Sequence, residues 1–125
     1  MAVTITNTKI VSLNADQELT FNPATSAVND ATEVFTYTPS GRDSKICIGM
    51  KNTTGILSYS IGAGAGVFGA VAKTGTVAAT STDVIQIETG RYMNASGNIL
   101  ITLTPAAGTA LLTNHAASMF VIELQ

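Results

Sequence analysis

Apolar and polar side chains alternate over most of this sequence, and that two-residue period limits the folds open to it. In an extended strand, successive side chains point to opposite faces, so alternation means strands with one face buried. Val3 and Ile5 alternate with Thr4 and Thr6, residues 9–13 form a second apolar run, and Glu18-Leu19-Thr20-Phe21 follows. Residues 33–38 set Phe35 and Tyr37 on one face and Val34 and Thr36 on the other. Residues 45–51 group Ile46, Ile48 and Met50, and residues 56–61 group Leu57, Tyr59 and Ile61 against Ser58 and Ser60. The pattern resumes with Ile85 and Ile87, then with Ile99, Ile101 and Leu103. It closes with Phe120, Ile122 and Leu124 aligned on one face and Met119, Val121 and Glu123 on the other, which is expected to be covered too.

Turn-forming groups separate these runs. Asn22-Pro23, Pro39-Ser40-Gly41, Asn52-Thr53-Thr54-Gly55, Asn94-Ala95-Ser96-Gly97 and Pro105-Ala106-Ala107-Gly108 all have that composition. The reading is all-β: one domain over residues 1–125, with roughly eight to ten short strands in a sandwich, jelly roll or irregular barrel. Abundant Thr, Val and Ile favour strands independently. No run keeps a 3.6-residue period for three turns. Residues 109–118 read as a loop that tucks Leu111 or Leu112 into one end of the core.

Residues 62–82 differ in kind. Their side chains are small, five glycines fall between Gly62 and Gly75, and Val67, Phe68 and Val71 are the large apolar groups of the glycine-rich part. Such a segment is either a close-packed crossing between sheets or an exposed arm that lets backbone approach another surface. In the second case Val67 and Phe68 are the anchors of a protein contact. Gly64 to Gly69 matches the dinucleotide-binding spacing in form, but that fingerprint needs a strand leading into a helix, and Thr- and Val-rich sequence follows instead.

Composition narrows the function. Only 11 % of residues are charged, against about 25 % in an ordinary domain. Six basic residues in a net acidic chain do not make the cationic stripe of a nucleic-acid binder. The nearest basic group is Arg42, Lys45 and Lys51; Arg42 and Lys51 are candidates for salt bridges to a protein neighbour, or members of a hydrated loop. One cysteine, Cys47, and one histidine, His115, give poor support for a metal site or a nucleophile. The eight acids show no catalytic or calcium-loop spacing. No cofactor, membrane partner or reaction is implied, the start has no signal-peptide pattern, and synthesis in the cytoplasm is expected.

Several stretches taken together resemble a known kind of protein. They are the opening Val-Thr-Ile strand, Phe35-Thr36-Tyr37-Thr38-Pro39, Gly66-Val67-Phe68-Gly69, residues 83–92, Ile99 to Pro105 and the closing Val121-Ile122-Glu123-Leu124. They resemble small virion proteins of tailed bacteriophages, of the head-decoration kind. The resemblance implies a non-enzymatic structural protein on the outer capsid surface. Its partners would be the major capsid protein and further copies of itself, with a trimer preferred. The alternative is a carbohydrate- or receptor-binding β-sandwich of a phage fibre or adhesin, with Tyr59 and Tyr92 as the aromatic surfaces.

Overall fold

The computed structural model describes residues 2–6, 8–9, 16, 18–41 and 44–124. Ten strands are found among them: β1 (Ala2–Thr4), β2 (Thr8–Lys9), β3 (Asn22–Pro23), β4 (Glu33–Tyr37), β5 (Lys45–Asn52), β6 (Leu57–Ile61), β7 (Lys73–Val77), β8 (Ser81–Glu88), β9 (Ile99–Thr104) and β10 (Ser118–Leu124). A single helical turn, α1 (Thr89–Tyr92), follows β8, and a π-helical turn (Leu111–His115) precedes β10.

The strands form two sheets. One runs β1-β4-β9-β6-β7; the other runs β2-β10-β5-β8, with β3 beside β2 on the same edge of β10. All pairings are antiparallel except β1 with β4 and β2 with β10. The inward faces meet in one hydrophobic cluster that includes Phe35, Tyr37, Ile46, Ile48, Leu57, Ile101, Leu103 and Val121. This is an all-β, two-sheet domain consistent with a β-sandwich.

Alternation places the core side chains as expected on β4, β5, β6 and β9. The outer face of the first sheet takes the threonines and serines: Thr4, Thr36, Thr102, Thr104, Ser58, Ser60, Thr74 and Thr76 lie opposite the core-facing positions.

Two readings change. Asn22-Pro23 is a short edge strand and not a turn, while residues 18–21 form no strand. Its edge position tolerates the missing proline N–H. The Asn22 amide fixes it there, accepting from the Thr6 N–H at 2.9 Å and donating to the carbonyls of Thr6 and Met119, both at 3.1 Å. The segment 62–82 is not uniform either, since residues 73–77 form β7 and residues 81–82 begin β8. Gly75 hid β7: it lies against the Tyr59 ring, where a Cβ would stand 2.7 Å from the ring atoms.

On β10 the inward face is Met119, Val121 and Glu123. Phe120 instead lies over Gly49 on the outer face, and Phe21 packs edge-on against it at 5.4 Å. As expected, residues 109–118 place one leucine in the core: Leu111 enters it and Leu112 stays exposed, while residues 111–115 turn as a π-helix. The part of the 9–13 run beyond Lys9 lies outside the described residues.

Candidate contact site at the glycine-rich loop

Loop 62–72 joins β6 to β7 at the end of the sandwich where β4 and β8 finish and β5 and β9 begin. Its backbone is tied down at several points. Gly62 N–H donates to the Leu100 carbonyl at 2.8 Å, Ala65 N–H to Met93 at 2.9 Å and Ala70 N–H to Arg91 at 2.7 Å. Gly64 N–H closes the loop on itself by donating to the Ala70 carbonyl at 3.0 Å. Only glycine permits these approaches. A Cβ on Gly64 would stand 2.0 Å from the Arg91 carbonyl oxygen, and one on Gly69 would stand 2.4 Å from the Gly64 oxygen.

The close backbone approach expected of this segment therefore occurs within the chain, against α1 and the residues after it. The side chains at the tip point away. Val67 is 94 % exposed, and Phe68 and Val71 are each 85 % exposed. Val67 and Phe68 therefore stay out of the domain's own core. Val67 and Phe68 line two adjoining hollows of about 470 Å³ each, whose polar walls include Glu88 and Arg91. Lys45 joins the wall of one of them. An aromatic and two valines thus stand clear of the domain on a pinned loop, above a mixed-charge rim.

The other sequence candidates lie elsewhere. Lys51 is six residues along β5 from Lys45, which at about 3.3 Å per residue sets it roughly 20 Å away. Its ammonium group lies 5.8 Å from the Phe21 ring centre, on the outer face of the second sheet. Arg42 lies outside the described residues. Tyr59 and Tyr92 are partly buried, packed against the core. The glycine run leads into a strand and not a helix. Cys47 is half-buried on β5. No group of three or more metal-ligating side chains is present among the described residues.

Two buried polar features had no functional reading from the sequence. Glu33 and Glu123 are buried on the core faces of β4 and β10. Glu33 accepts from the Thr25 N–H at 2.9 Å and from the Thr25 hydroxyl, tying down the chain before β4. Glu123 accepts from the Tyr37 hydroxyl at 2.7 Å and from Ser40 N–H at 3.1 Å, tying the loop after β4 to β10. Residue parity carried this signal, since Glu33 shares a face with Phe35 and Tyr37. His115 is also buried, at the opposite end from the glycine loop; its Nδ1 faces Asn52 Oδ1 at 2.9 Å and its Nε2 the Thr109 hydroxyl at 3.1 Å. Burial lowers its pKa from the ordinary 6.5.

Compared with known protein families, curated proteins and solved structures, the chain matches none.

Proposed function

We propose that this chain is a non-catalytic structural protein that acts by protein–protein contact, seated through Val67, Phe68 and Val71 at the tip of loop 62–72. In the setting implied by the sequence resemblance, it decorates the outer surface of a bacteriophage capsid and stabilises the joints of the major capsid protein. The single observation that carries this reading is the exposed apolar trio on a backbone-pinned loop.

Large apolar side chains held outward on a rigid support have the character of an interface anchor. Pinning matters energetically, because a loop already ordered loses little conformational freedom on binding. The mixed-charge rim of Lys45, Glu88 and Arg91 suits the polar border of such a contact. A modest contact becomes strong when repeated over a symmetric shell, provided copies are linked to one another. Tyr59 and Tyr92 do not favour the carbohydrate reading, because both are packed against the core.

The test is co-sedimentation with phage heads that lack the chain. Phe68→Ala is expected to weaken head binding at least about tenfold, in the range of an interface anchor. The melting temperature of the free chain should hold, because Phe68 is 85 % exposed. Wild-type binding by Phe68→Ala, or no binding by the wild type, would overturn the proposal.

A further inference from the structure

We infer that the side of the sandwich formed by β7 and β8 is a self-association edge at which β8 of a second copy pairs antiparallel with β8. The chain crosses from one sheet to the other on both sides of the sandwich. On the β1 side it does so between β1 and β2, where the Asn22 amide ties Thr6 to the carbonyl of Met119 on β10; on the far side it does so through residues 78–80, between β7 and β8, where the Asn52 amide donates to the Ala78 carbonyl at 3.2 Å. There β7 and β8 each end a sheet, and among the described residues neither has a second ladder partner. β8 presents eight residues of edge with no proline, against three for β1.

Unpaired backbone donors and acceptors in a row are a template for another strand. Between the two edges lies a hollow of about 480 Å³ whose walls include Met50, Tyr59, Lys73, Asp83 and Ile85. Tyr59 and Ile85 pack on the core there yet stay partly exposed.

The pattern of β8 identifies the occupant as a second copy. Pairing about a twofold axis uses the same edge on both partners, each supplying the groups that the other lacks. The outward row of β8 is Thr82, Val84, Gln86 and Glu88. Centring the axis on Val84 sets the two valines against each other and places Thr82 opposite Gln86 of the second copy, twice over. Glu88 then falls opposite Thr80 in the turn before β8, so no like charges stand directly opposite one another. Val84 is 58 % exposed in the single chain, and this register covers it.

On the inward row Asp83 meets Ile85 of the second copy, and the two Asp83 carboxylates occupy diagonal positions about 7–8 Å apart. Inward-pointing charge is a known guard on strand edges, and here it tempers the pairing. Lys73 lies on the wall of the same hollow, and the Ser81 hydroxyl donates to Asp83 Oδ1 at 2.7 Å. The pair closes at two copies, unlike the trimer that the sequence resemblance implies.

Cross-linking tests the register. Antiparallel partners stand about 4.5–5.5 Å apart at Cα, within the range of a disulfide. In a Cys47→Ser background, Val84→Cys is expected to oxidise to a covalent dimer, whereas Thr104→Cys, on the outer face of the first sheet, is not. Sedimentation equilibrium of the wild type should give twice the 12.8 kDa chain mass. Val84→Lys should raise the dimer dissociation constant at least about tenfold by setting like charges face to face, and Asp83→Asn should lower it. A wild type that stays monomeric at the highest attainable concentration, assembles beyond two, or dimerises regardless of Val84→Lys overturns the inference. Phe68→Ala should leave the dimer intact. Loss of the dimer with Phe68→Ala would move self-association to loop 62–72 and also overturn the edge, while leaving the proposal of a contact loop standing.

Discussion

A methyl group on Gly49 would stand 2.0 Å from the Phe120 ring, so the missing Cβ on β5 is what lets that ring lie flat on the outer face of the second sheet. Gly49→Ala is therefore expected to cost roughly 1–3 kcal/mol through overpacking. Urea unfolding of Gly49→Ala, Phe120→Leu and the double variant should show coupling, with the smaller side chain recovering part of the loss. Additive losses would mean that the two residues do not share the strain. Ala116 presents the opposite case. It closes the π-helical turn at φ 44°, ψ 43°, a left-handed conformation that costs a non-glycine residue about 1–2 kcal/mol. Ala116→Gly relieves that strain while adding freedom to the unfolded chain. The expected net is a gain of up to about 1 kcal/mol in the same unfolding assay, and a loss would refute strain at this position. Side-chain parity made much of this scale legible: Phe35, Ile46, Ile101 and Leu103 are buried where alternation put them. On β10 parity gave two candidate faces and no means of choosing, since only the Phe120–Gly49 notch decides between them, and that notch depends on a partner strand.

At the scale of elements, local composition misled wherever a strand is held by tertiary contacts. β3 and β7 read as turn and loop because Pro23 and Gly75 are poor strand residues, yet each is fixed by one partner: the Asn22 amide in β3 and the Tyr59 ring against β7. The turn 111–115 shows how a lone polar residue can organise an end of the sandwich. The Asn52 amide nitrogen donates to the carbonyls of Gly55 at 2.6 Å and Ala78 at 3.2 Å, which leaves its oxygen to accept from Nδ1–H of His115. Nε2 lies 3.1 Å from the Thr109 hydroxyl, which donates its proton to the Ala106 carbonyl at 2.6 Å. Burial lowers the pKa of His115 below 6.5, so in acid the unfolded state takes up a proton before the folded state does. The stability this contributes is complete above pH 6.5 and is lost as pH falls below it. Melting temperatures across that window should drop for the wild type, and His115→Gln should flatten the drop. Equal slopes would show that other groups carry the pH dependence.

For the whole molecule, the distribution of polarity explains how a chain with 11 % charged residues and a mean hydropathy of +0.33 keeps a polar exterior. Hydroxyls take the place of charges, and the outer face of the first sheet is largely a field of threonine and serine over a core closed on its other side by the second sheet. The low charge was plain in the sequence, but its arrangement needed the strand order. The same holds for loop 62–72: Val67 and Phe68 stood out as large groups in a small-residue segment, and their exposure follows from how Gly64 seats the loop backbone against Arg91 and Gly69 packs on Gly64. Fold and proposed contact thus occupy separable parts of the molecule, which gives a last prediction. Removing the apolar tip with Val67→Ser and Phe68→Ser together takes no atoms from the core, so the unfolding free energy should stay within about 0.5 kcal/mol of the wild type, as for surface changes elsewhere. Replacing two of the three most exposed apolar groups with hydroxyls should at the same time raise the salt concentration at which the free chain precipitates. Gly64→Ala is the complement. It keeps every apolar atom of the tip but drives a Cβ into the Arg91 carbonyl, which as backbone cannot swing aside, so the loop must shift. If the contact depends on the seated geometry, Gly64→Ala should lose head binding as fully as Phe68→Ala while keeping the solubility of the wild type. Retained binding by Gly64→Ala would show that exposed apolar area alone, without a pinned loop, accounts for the contact.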